Sequence, residues 1–130
     1  MDPARLRGLG PFAQLGAKER ERVARWADEV DVPAGGRLAE EGSFAHEFFV
    51  IEEGVAVVER DGKELAELGP GDFFGEIGLL ETERRTASVV ARTPLRAVVM
   101  FQREFKQMER ELPAVAAQLR AAIAERLARS

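Results

Sequence analysis

With 130 residues, the chain has room for one domain that hides about two-thirds of its unfolded surface, and its 45% apolar and 32% charged residues exclude wholesale disorder. No cysteine and a single histidine, His46, exclude disulfide frameworks, thiol nucleophiles and any metal site that needs two imidazoles. A net charge of −4 runs against free-standing nucleic-acid binding, and Lys18, Lys63 and Lys106 are the only lysines among 19 cations, so arginine dominates.

The opening DPARLRGLGPFAQLG sets Leu6, Leu9, Phe12 and Leu15 among glycines and prolines, which predicts one or two short helices broken by turns. It lacks the apolar core of a signal peptide, and nowhere does the chain approach the ~20 apolar residues of a membrane helix. A cytoplasmic chain with no membrane contact of its own is expected. In AKERERVARWADEV, Val23, Trp26, Ala27 and Val30 recur at helical spacing, so helices are expected over residues 1–30.

From Asp31 to Phe101 the pattern changes. Turn signals recur every eight to twelve residues: Pro33-Ala-Gly-Gly, Glu41-Gly-Ser, Glu52-Glu-Gly, Asp61-Gly, Gly69-Pro-Gly and Thr93-Pro. Between them lie the β-rich runs EFFVI, VAVVE, KELAEL, TASVVA and LRAVVMF. Asp61-Gly62 is the strongest hairpin signal. Many short strands mean a sandwich or rolled barrel over residues 31–101. Adjacent glutamates at 40–41 and 52–53 would point to opposite faces of a strand, so neither is a catalytic pair. Residues 102–130 read as two helices: REFKQMERE, then a helix with Pro113 in its first turn. Leu112, Val115, Leu119, Ile123 and Leu127 form its apolar stripe.

One window interrupts the strands. Gly75 to Leu80 can form a tight turn with outward N–H groups, a small anion site, and Arg84 and Arg85 follow on the return. Free amides, one carboxylate and one guanidinium suit a sugar phosphate. The bland alternative is a bulge and turn with a surface ion pair. A dinucleotide fingerprint is rejected on spacing, and a metal cupin on the single histidine. His46 alone reads as structural.

FFGEIGLLETERRTASVVA resembles the phosphate-binding cassette of the cyclic nucleotide-binding domain family, and GEIGLL…RRTASV is most like its channel-type members. The resemblance spans nearly the whole chain. It implies a mainly β fold: an antiparallel eight-stranded, jelly-roll-like β-roll with N-terminal helices and two C-terminal helices, as one domain over 1–130, with the cassette at 74–88. It also implies a non-enzymatic receptor without cofactor, binding cAMP with cGMP tolerated. Glu76, helped by the Gly75 backbone, would take the ribose 2′-hydroxyl. Arg85 would pair with the phosphate, joined by the N–H groups of Gly78 and Thr86. Val58 and Phe74 would line the purine and ribose, and Ile77, Leu79 and Ala87 complete the expected contact set. The Thr86 hydroxyl would serve the phosphate or a guanine amine, and Arg84 would be a solvated neighbour. Arg126 falls about where channel-type members reach over the purine. The last helix is expected to act as a moving lid. The rival reading is a ligand-free scaffold or dimerisation module, with that helix meeting a second copy or an effector.

Overall fold

The computed structural model describes residues 1–43, 47–75, 85 and 87–128, with side chains described as far as residue 125. The chain opens with two 3-10 turns, Pro3–Leu6 and Gly10–Phe12, each with a proline in its first positions, where the missing N–H costs nothing. The Asp2 carboxylate accepts from the Ala4 N–H at 3.0 Å to cap the first turn. Helix α1 spans Ala17–Val23, and the Glu19 carboxylate accepts from the Gly16 N–H at 2.9 Å to close its first turn.

The expected helix through Val30 is corrected here. After a 3-10 turn at Ala24–Trp26 the backbone becomes extended at Ala27, and strand β1 runs Asp28–Val32. The roll thus begins at Asp28, not Asp31. Val30 and Val32 are two apart, so they fall on one face of a strand, and both pack against the interior of the roll. Antiparallel pairing with the last strand, from Asp28 opposite Val99 to Val32 opposite Leu95, outweighs the helical spacing.

The remaining strands are β2 (Arg37–Ala39), β3 (Glu47–Glu53), β4 (Ala56–Arg60), β5 (Lys63–Leu68), β6 (Phe73–Phe74), β7 (Ser88–Ala91) and β8 (Leu95–Phe101). They form two antiparallel four-stranded sheets, in the orders β1-β8-β3-β6 and β2-β7-β4-β5. Asp61 and Gly62 join β4 to β5 with φ of 53° and 76°, as an Asp-Gly hairpin requires. Helix α2 spans Gln102–Glu111 and α3 spans Pro113–Ala128.

Two cores lie on either side of the first sheet. In β3, Phe48 and Val50 face the helices, while Phe49 and Ile51 face the interior of the roll. In β8, Val98 and Met100 go to the helices, and Leu95, Ala97 and Val99 go inside. Burial on both faces explains why these runs read as continuous apolar stretches instead of alternating ones. The α3 stripe is covered within the molecule: Val115, Leu119 and Ile123 share the helical core with Leu6, Phe12, Val23 and Phe105. Arg120 fastens α3 to α2, with its guanidinium 5.3 Å from the Phe105 ring centroid and 2.7 Å from the Glu109 carboxylate. Burial on the molecule itself therefore accounts for the described part of a stripe too apolar to face water.

Candidate functional site

Strand β6 is only two residues long, and it exists because β3 offers it a partner edge: Phe74 lies opposite Phe49, and Phe73 opposite Val50. Alternation sends the two rings to different cores. Phe74 stacks on Phe49 inside the roll, with centroids 4.9 Å apart and planes 18° from parallel. Phe73 meets Phe48 on the helical side at 5.5 Å. Val58 joins the interior cluster from β4, where it lies opposite Val89 of β7, and Leu38, Ala39 and Ile51 complete the surrounding apolar wall.

At the end of β6 comes Gly75, with φ of +84°. Only glycine adopts this conformation without strain, and space makes the same demand. A Cβ here would strike the Glu47 carbonyl oxygen and stand 2.6 Å from Nη1 of Arg85. The Arg85 guanidinium therefore lies against the bare Gly75 backbone, and its Nη2 donates to the Glu47 carbonyl at 2.8 Å. The Arg85 backbone is equally tied. Its N–H donates to the Ser43 carbonyl at 2.6 Å, and its carbonyl accepts from the Gly42 N–H at 2.9 Å. One residue on, half-buried Ala87 leads into β7, whose first residue Ser88 is buried and accepts from the Glu41 N–H through Oγ at 2.9 Å.

The structure thus brings Phe74, Gly75 and Arg85 together at the mouth of an apolar interior that Val58 also lines. Glu76, Ile77, Gly78, Leu79 and Thr86 lie outside the described residues, as do His46 and Arg84; Arg126 falls within α3, but its side chain is not among those described. Sequence reasoning missed Glu47, Ser43 and Gly42, which act through backbone atoms. The Glu41-Gly-Ser turn mark was the one available signal for the last two. Chemically, a fixed two-pronged guanidinium beside an apolar, aromatic wall suits an anionic group attached to a flat apolar body. Among the described residues, no group of three or more His, Asp or Glu could hold a metal.

The model of the cyclic nucleotide-binding domain matches residues 29–111, and the chain belongs to that family. It is 35% identical over 103 residues to a cAMP-dependent protein kinase regulatory subunit of Aspergillus fumigatus, a stretch covering 75% of this chain and 24% of that relative. Among solved structures it is similar to the Thermus thermophilus catabolite activator protein, with 30% identity, a TM-score of 0.77, and coverage of 92% of this chain and 58% of that one. It is also similar to the N-terminal domain of a transcriptional regulator from Streptomyces coelicolor A3(2), at 29% identity and a TM-score of 0.80, covering 99% and 94%. The chain thus spans about a quarter of the length of the curated relative.

Proposed function

We propose that this chain is a receptor module for cAMP, with cGMP as a weaker ligand, and that it binds the nucleotide without cleaving it. The observation that carries the reading is the seating of Arg85. Its guanidinium is held by Glu47 and Gly75 at the mouth of the apolar interior, so little side-chain freedom remains to be lost when a phosphate arrives. Phe74 and Val58 supply the wall for the purine and ribose, and Glu76, Gly78 and Thr86 complete the cassette. The kinase regulatory relative, named for cAMP dependence, supports this choice of ligand.

We place the module in the cytoplasm as one domain, signalling through a shift of α3 when the cassette closes. Among the described residues no helix is long and apolar enough to cross a membrane. A ligand-free scaffold has no comparable support, since Val115, Leu119 and Ile123 of the apolar stripe it would use are covered by the chain itself.

Thermal unfolding with cAMP, cGMP, cyclic dinucleotides and ATP in parallel tests the reading. Ligand at a hundredfold over its dissociation constant stabilises a receptor by about 2.7 kcal/mol. Stabilisation by cAMP is expected; none with any cyclic nucleotide would refute the receptor. For purine choice, Thr86→Ala should weaken cGMP more than cAMP, because guanine carries a 2-amino group that adenine lacks and that the hydroxyl would meet. Equal losses by calorimetry would leave the hydroxyl serving the phosphate or nothing.

A further inference from the structure

Glu52 is the extra residue of a bulge in β3, between Ile51 opposite Ala97 and Glu53 opposite Arg96. Its side chain is 7% exposed, and its Oε1 is buried with no hydrogen-bond partner among the described residues. Charged groups from three other elements face it: Glu29 of β1, Arg5 of the Pro3–Leu6 turn and Arg96 of β8. None of the cations satisfies it. Arg5 stands 3.8 Å from both Glu52 and Glu29, beyond hydrogen-bond distance, and Arg96 is committed to Asp31 at 2.9 Å.

A buried carboxylate oxygen without a donor is costly when ionised. A proton held between Glu52 and Glu29 supplies the missing donor and leaves one negative charge for Arg5. Burial first, then the Glu29 charge and its hydrogen bond, push the Glu52 carboxyl up to about 7.

We infer that Glu52, Glu29 and Arg5 form a proton-dependent clasp, which fastens the N-terminal turn to the sheet while Glu52 is protonated and loosens once it is ionised. An ionised Glu52 needs water, and lifting the turn that carries Arg5 admits it. The burial penalty outweighs the attraction of Arg5, which by itself would favour the ionised form. Because Leu6 of that turn shares a core with Leu119 and Ile123, the state of the clasp reaches the seat of α3. The sign follows from proton linkage. A carboxyl whose pKa rises on folding gives stability that is full below the unfolded value of 4.5 and is lost as pH climbs through about 7.

Native-state amide exchange on the full chain, corrected for intrinsic rates, tests the clasp at about pH 5.5 and about pH 8.5. Protection over residues 5–15 should fall by about tenfold between the two in the wild type. In Glu52→Gln, whose amide donates at every pH, it should stay within about twofold. An equal fall in both proteins, or none in the wild type, overturns the clasp. Should Glu52→Gln fail to fold, Glu29→Gln serves instead. Removing the neighbouring charge must draw the midpoint of the wild-type transition to lower pH, and an unmoved midpoint is equally fatal. Neither readout involves nucleotide.

Discussion

Arg85 is held at both its backbone and its head group before any ligand arrives. Replacing it with alanine removes a charge-assisted contact worth ~1.5–3 kcal/mol and leaves a bound phosphate facing an unpaired pocket. Calorimetry should show at least a tenfold loss of cAMP affinity, about the low end of that range, with the fold intact. A loss below about threefold would remove Arg85 from the phosphate role, and Arg84→Ala is the internal control expected to do far less. Gly75→Ala attacks the same place from the other side. It puts a side chain at φ +84° and drives a methyl group into the Glu47 carbonyl and the guanidinium. Strain of that kind costs ~1–3 kcal/mol, so both the melting temperature and cAMP affinity should drop. Unchanged affinity would mean that the guanidinium seat does not matter for binding. The prominence of Phe74, Gly75 and Arg85 was readable in the sequence because they flank one contiguous motif. The Glu47 and Ser43 carbonyls that hold Arg85 were not, since every residue carries a carbonyl and only the fold decides which one meets a guanidinium.

Among the elements, those with strong periodicity or turn chemistry were legible: the Asp61-Gly62 hairpin, the long strands and both C-terminal helices. Strands β2 and β6, of three and two residues, are too short to show a period and are created by their partners β7 and β3. Strand β1 was hidden for another reason. Val30 sits four residues after Trp26, a spacing that helices and strands both permit, and the deciding contact lies in β8 at the far end of the roll. The clasp was equally invisible, because Glu29 and Glu52 meet only across the sheet. Helix α3 carries the sharpest prediction at this scale. Its buried stripe makes a resting seat, so the signalling through α3 proposed above requires that seat to change when nucleotide binds. Amide exchange over residues 115–125 should slow under saturating cAMP. No change there would rule out α3 as the moving part, while leaving the proposal of nucleotide binding by the cassette untouched.

Over the whole molecule, stability rests on two apolar cores sharing a single sheet, so damage on the helical side should be felt globally. Ile123 is 1% exposed and lies among Leu119, Phe12 and Phe105. Ile123→Ala should cost about 2–5 kcal/mol in denaturant unfolding, far more than a surface change on the same helix such as Glu125→Ala. A loss under about 1 kcal/mol would show that the end of α3 is poorly seated in solution. Exposed ion pairs should matter much less. Arg92 reaches Glu64 and Glu67 at 2.8 and 2.7 Å on open strand surface, yet water and salt screen such pairs, so Arg92→Ala should leave the melting temperature almost unchanged.

The four consecutive buried residues of β3, Phe48 to Ile51, leave no position that can tolerate a change in chain length. Inserting one residue ahead of them would rotate every side chain to the opposite face: two phenylalanines would exchange compartments, and the bulge at Glu52 would lose its register with Arg96. Such an insertion is not a local defect, because it rewrites the contents of the roll's interior and of the helical layer at once. Length variants of this chain should therefore survive at open turns such as Asp61-Gly62, where an added residue lengthens a loop and alters neither compartment.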